Sequence, residues 1–182
     1  MGRVLYAFGF DRIGVVVSDL YFVDPEPGEG QEGAERGVRI EVRMVERGQL
    51  PGSIYSAQPI AIGEPVWRGD LLESVVGPVG SFDRTHHHPA FSGWEPGRRH
   101  YVSELSADPM AWLTARLSDL DGLLVEAGLE PADAGPDDAA DLRAATPEIV
   151  GAVERLLARV RAGELARPPA GDTALSARVG WL

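Results

Sequence analysis

All four histidines of the chain fall between His86 and His100, three of them consecutive, within Ser81-Phe-Asp-Arg-Thr-His-His-His-Pro-Ala-Phe-Ser-Gly-Trp-Glu-Pro-Gly-Arg-Arg-His100. Imidazole ligates metals and exchanges protons near neutral pH, so chemistry is expected in this segment. If Arg84 to His88 is extended, side chains alternate in direction: His86 and His88 share one face with Arg84, while His87 and Asp83 point the other way. Alternate Cα atoms of a strand stand about 7 Å apart, which lets two imidazoles converge on one ion at about 2.0–2.1 Å. Pro89 favours this geometry, because the residue before a proline is pushed toward extended conformations.

His100 is harder to recruit. If Pro96-Gly97 turns a tight hairpin, His100 lies about five residues, or roughly 17 Å, along the strand from His88, too far to share an ion. Proline followed by glycine favours a type II turn, which suits hairpins poorly; an irregular loop over Ala90 to Arg99 would fold His100 back toward the others. His86, His88 and His100 are therefore the candidate catalytic residues and, with Glu95, the candidate metal ligands. Asp70, Glu73 and Glu104 are further carboxylates that spacing does not rank against Glu95. Arg84, Arg98 and Arg99 surround the histidines and would orient a small carboxylate or phosphate, unless they only pair with Asp83 and Glu95. Trp67 and Arg68, in Trp67-Arg68-Gly69-Asp70, would give a pocket an aromatic wall and a charge, although a tryptophan on a strand more often belongs to the core. The alternative for the triplet itself is a polar turn whose imidazoles cap backbone groups.

The arrangement Gly80, five residues, His86-x-His88 resembles the start of the first cupin motif, whose two histidines bind a metal inside a β-barrel. The resemblance covers about nine residues. The cupin glutamate ligand follows after a shorter gap than the one from His88 to Glu95, the later glycine is missing, and no second motif with its own histidine follows. The resemblance implies a metal and does not assign the family.

Several chemistries are excluded by residue type. The chain has no cysteine and no lysine, which removes disulfides, thiolate ligands, thiol nucleophiles, Schiff bases and a P-loop lysine. Ser53 and Ser92 lie in no Gly-x-Ser-x-Gly elbow, and no glycine-rich phosphate loop links a strand to a helix, so no nucleotide cofactor is expected. A formal net charge of -11 disfavours nucleic acid as a partner. No apolar run approaches the roughly 20 residues of a membrane span, and the N-terminus lacks a signal-type apolar region. A cytoplasmic protein with a small-molecule ligand and no membrane partner is expected, with a homodimer left open.

The elements that must position these residues are strands first and helices afterwards. Val38 to Met44 alternates apolar and charged residues, which predicts Val38, Ile40, Val42 and Met44 toward a core and Arg39, Glu41 and Arg43 in water. Arg3 to Phe8 and Ile13 to Val23 predict a hairpin. Asp24 to Gly33 reads as a mobile surface loop. Ile54 to Ile62 and Val66 to Leu72 look extended, with a turn at Gly63-Glu64-Pro65. Asp108-Pro109 starts a helix that carries Leu113, Leu117, Leu120 and Leu124 and ends near Gly128; Thr146-Pro147-Glu148 starts a second, ending near Gly163.

At 182 residues, 44% hydrophobic and 25% charged, the chain suits a single domain. The expected fold is α+β: an antiparallel β-sheet or partly closed β-barrel over residues 1–105, a helical part over 106–165 with two helices covering it, and an irregular tail over 166–182. The expected function is a metal-dependent enzyme using zinc, iron, nickel or copper on a small anionic metabolite. Its rivals are a metal-free isomerase, cyclase or hydrolase with a histidine acid or base, and a non-catalytic interaction or regulatory domain.

Overall fold

The computed structural model describes residues 4–24 and 33–168. Most of the expected surface loop and nearly all of the expected irregular tail lie outside these residues. The architecture is α+β, with one antiparallel sheet backed on one face by helices. Five strands, β1 (Leu5–Gly9), β2 (Ile13–Val23), β3 (Ala34–Arg47), β4 (Ile60–Ser74) and β5 (His86–His88), lie side by side in chain order. Among the described residues the sheet is open and does not close into a barrel. A two-stranded hairpin, β6 (Phe91–Ser92) and β7 (Glu95–Pro96), follows.

The sequence dictates which face is covered. Val15, Val17, Val38, Ile40, Val42, Trp67 and Leu71 are fully buried, and their register places them on one face. That face packs on α2 (Pro109–Leu117), α3 (Leu120–Glu126) and α4 (Asp138–Arg161), through Leu113, Leu117, Leu124, Ile149, Val153 and Leu156. A short α1 (Ser103–Ala107) precedes them.

Among the described residues four α-helices take the place of the two expected, and the reasons are local. The leucine repeat from Leu113 to Leu124 runs through a break at Asp119, whose side chain accepts from the Gly122 amide at 3.1 Å and caps a new helix. Asp108 caps α2 likewise, accepting from the Ala111 amide, and Gly128, at φ +81°, ends α3. Helix α4 begins eight residues before Thr146, so Pro147 lies inside it. Its first turns are rich in alanine, the best helix former, and in aspartates that suit a helix N-terminus, with few apolar residues to reveal a period.

Two strand expectations also change. Strand β4 starts at Ile60, so Ile54 to Gln58 is not extended as strand. Gly63-Glu64-Pro65 is not a turn but part of β4, where the pairing with β3 shifts register between Val42 and Val45. A proline cannot donate to the ladder, and a register shift is a place that tolerates it.

Candidate metal centre

The second face of the sheet, away from the helices, carries charge. Arg39, Glu41 and Arg43 of β3 lie there, as do Arg68 and Asp70 of β4 and His86 and His88 of β5. The expectation that the β3 charges stand in water is overturned. Glu41 is 5% exposed and Asp70 2%. Alternation shows that these residues share a face but not what that face meets. Here they neutralise one another: Arg43 and Arg68 both donate to Glu41, Arg39 donates to Asp70, and Arg84 donates to Glu35 at 2.7 Å. A buried charge is tolerable only when paired in this way.

Antiparallel pairing then assembles the centre. Asp70 lies opposite His86 and Arg68 opposite His88. Cross-strand partners share a face, so the Asp70 carboxylate meets both imidazoles. Its Oδ2 is 3.6 Å from His86 Nε2 and 3.7 Å from His88 Nε2. One donor atom from each of the three residues lies within 4.8 Å of the others, all three residues being buried. The sequence left Asp70 unranked because its meeting with the histidines depends on strand register across sixteen residues, which no local spacing records.

The outer nitrogens fix the tautomers. His86 Nδ1 is 2.9 Å from the Arg84 carbonyl oxygen and His88 Nδ1 is 2.8 Å from that of Gly97. A carbonyl only accepts, so both Nδ1 atoms donate, and each neutral ring presents the Nε2 lone pair to Asp70. Burial opposes the charged form of each imidazole and, against the pull of Asp70, holds both below the ordinary histidine value. Burial alone would raise the Asp70 carboxyl, but the charge and hydrogen bonds of Arg39, helped by Arg68, hold it below its ordinary value. At neutral pH the group is therefore two neutral imidazoles and one carboxylate. Ligands at about 2.1 Å in a tetrahedron stand about 3.4 Å apart, and the two Asp70–imidazole separations of 3.6 and 3.7 Å exceed that by only tenths of an ångström.

The centre opens into a cleft of about 440 Å³. Arg98 and Arg99 line its mouth and are exposed; Arg68 lies deeper, over the Phe91 ring at 5.0 Å.

Several expected residues lie elsewhere. The chain after the hairpin does fold back, but His100 pairs with His87, the amide of each donating to the carbonyl of the other. Its ring therefore lies against His87, 5.5 Å between centroids, on the face away from His86 and His88, and no three-histidine group forms. His87 itself faces the helices, where its Nδ1 accepts from Trp67 Nε1 and its ring lies 5.1 Å from that of Trp112. Burial there, with Arg116 and His100 adding to it, lowers its pKa to about 4. Glu95 is exposed on β7 and outside the group, since the hairpin carries it away from the sheet. Trp67 is fully buried beneath the helices and does not line the cleft. Arg84 contributes its carbonyl to His86 and its guanidinium to Glu35.

No helix among the described residues is long and apolar enough to cross a membrane. No family model matches this chain, and comparison with curated proteins and with solved structures finds no significant match.

Proposed function

We propose that this chain is a metal-dependent enzyme acting on a small anionic molecule, with Asp70, His86 and His88 holding one divalent ion. One observation carries the reading: the backbone carbonyls of Arg84 and Gly97 take the Nδ1 protons and turn two nitrogen lone pairs onto a carboxylate. Three donors facing one another repel unless a cation lies between them. Two imidazoles and one carboxylate are a donor set of catalytic zinc sites and of non-haem iron sites, and both leave positions open for water or substrate. Bound there, a metal ion would polarise a substrate oxygen or supply hydroxide near neutral pH.

The residues divide the work. Arg39 keeps Asp70 ionised and aimed, with its Nε 2.6 Å from Oδ1. Arg98 and Arg99 at the mouth attract an anion, and Arg68 extends the positive lining inward. Six arginines (Arg39, Arg43, Arg68, Arg84, Arg98 and Arg99) serve this face against the three carboxylates of Glu35, Glu41 and Asp70. On a chain of net charge -11 this local excess favours anionic ligands.

Elemental analysis of untagged protein, as purified and after reconstitution with zinc, iron(II), nickel or copper, tests the reading. One equivalent of metal is expected, with His86→Ala and His88→Ala each losing it and His100→Ala retaining it. Failure of every metal to bind stoichiometrically, or retention by the His86→Ala/His88→Ala double variant, overturns it.

A further inference from the structure

The cleft is not uniformly polar. In register, Ser18, Arg39, Asp70 and His86 form one cross-strand row at the metal centre. The next row on the same face is Leu20, Gly37 and Leu72, and the row after it contains Phe22 and Glu35. Leu20, Leu72 and Phe22 all line the cleft. Gly37, between the two leucines, leaves the floor bare: a Cβ there would come within 1.8 Å of the Leu71 carbonyl oxygen, so only glycine fits. At the far end the charge of Glu35 is met by Arg84. The cleft thus runs from a cationic end, where Arg98 and Arg99 join the Asp70 group, to the Phe22 side chain beside the paired Glu35, about four strand residues or roughly 14 Å away.

From this polarity we infer that the substrate class is an amphipathic organic acid: a carboxylate at the metal end and an aliphatic or aromatic body along Leu20, Gly37 and Leu72 toward Phe22. A sugar phosphate or an inorganic oxyanion matches the arginines but leaves its polar body, or nothing, against the leucines. A volume of about 440 Å³ accommodates a medium-chain or aryl acid, within the usual range of ligand pockets. The inference rests on the proposed metal centre for one end of the ligand only, because Arg98 and Arg99 supply charge at that end by themselves.

The test is calorimetric titration of the full chain, metal-loaded and metal-free, with acetate, butyrate, hexanoate and octanoate, and with inorganic phosphate and glycerol phosphate as probes lacking an apolar body. Affinity is expected to rise about fourfold per methylene until the chain reaches Phe22, and octanoate is expected to bind far more tightly than either phosphate. Phe22→Ala, its fold checked by melting temperature, should weaken octanoate about tenfold while leaving butyrate unchanged; Arg98→Ala/Arg99→Ala should weaken every acid by one common factor. Affinity independent of chain length, or phosphates binding more tightly than octanoate, overturns the inference and leaves the metal centre standing. If no metal is retained, the metal reading fails alone: a chain-length slope on the metal-free protein still supports the acid site, and no acid binding overturns it.

Discussion

At the scale of single residues, Asp70 meets two demands at once. It is buried at 2% exposure, so its charge needs compensation, and one of its oxygens must still stay open beside the imidazoles for the proposed ion. Arg39 satisfies both, donating Nε to Oδ1 at 2.6 Å while Oδ2, the oxygen facing the histidines, receives only the longer 3.2 Å contact from Nη2. Asp70→Ala therefore does two kinds of damage: it removes a donor from the centre and leaves the Arg39 guanidinium buried without that carboxylate. Breaking one side of a buried ion pair costs about 3 kcal/mol, whereas replacing both sides with apolar groups costs far less. In urea unfolding of metal-free protein, Asp70→Ala is expected to lose about 3 kcal/mol and the double variant Asp70→Ala/Arg39→Met to regain most of it. Equal losses in single and double variants would show that the pair does not hold this face together. The same reasoning explains why the candidate group was only partly legible in the sequence. His86 and His88 announce themselves by an i, i+2 spacing that survives any extended conformation, whereas Asp70 joins them only through β4–β5 register, and His100 is drawn to the other face by a single bridge to His87.

At the scale of elements, periodicity was readable wherever one face is apolar. Val38 to Met44 lies within β3 with its apolar residues toward the helices, and the leucines from Leu113 to Leu124 meet the core. What the pattern did not carry was the environment of the opposite face and the ends of helices that lack apolar repeats. Helix α4 shows the second case. Pro147 resembles a first-turn proline, yet it sits ten residues into the element, because Asp138-Ala-Ala-Asp-Leu-Arg-Ala-Ala is helical before it. An interior proline removes one backbone hydrogen bond, here the one a residue 147 amide would give to the Arg143 carbonyl, and crowds the preceding turn. Pro147 is exposed, so replacing it forfeits no burial. Pro147→Ala is expected to stabilise the protein by about 2 kcal/mol, less than the ~3 kcal/mol of an unrelaxed interior proline. It should raise the melting temperature without changing metal content. A lowered melting temperature would mean that the proline sets a bend on which α4 depends for its fit to the sheet.

At the scale of the whole molecule, the two faces of the sheet differ: one carries the apolar core and the helices, the other the paired charges and the candidate metal group. The helical layer is tied to the sheet by charged groups at its margins as well as by its core. Asp138, fully buried at the start of α4, accepts from the Gly135 amide and from the amides of Asp11 and Arg12 in the turn between β1 and β2. Arg161, near the other end of α4, donates to the buried Glu73 of β4, and Asp19 of β2 accepts from the amides of Val4 and Ala166. None of these ties touches Asp70, His86 or His88, which lie across the sheet. Removing the Asp138 carboxylate leaves three amides without an acceptor, and hydrogen bonds to a charged acceptor contribute about 1.5–3 kcal/mol each before water recovers part of the loss. Asp138→Ala is thus expected to cost about 3 kcal/mol in urea unfolding, while metal affinity, measured by calorimetry well below the unfolding transition, stays within about twofold of the parent. The expectation separates two designs. If the sheet is stiff enough to hold Asp70, His86 and His88 by strand pairing and the two backbone carbonyls alone, the centre ignores the loss of its backing until the molecule unfolds. If affinity falls in step with stability, the helices are setting the twist of β4 against β5, and the spacing of the three donors belongs to the packed sandwich of sheet and helices instead of to the sheet.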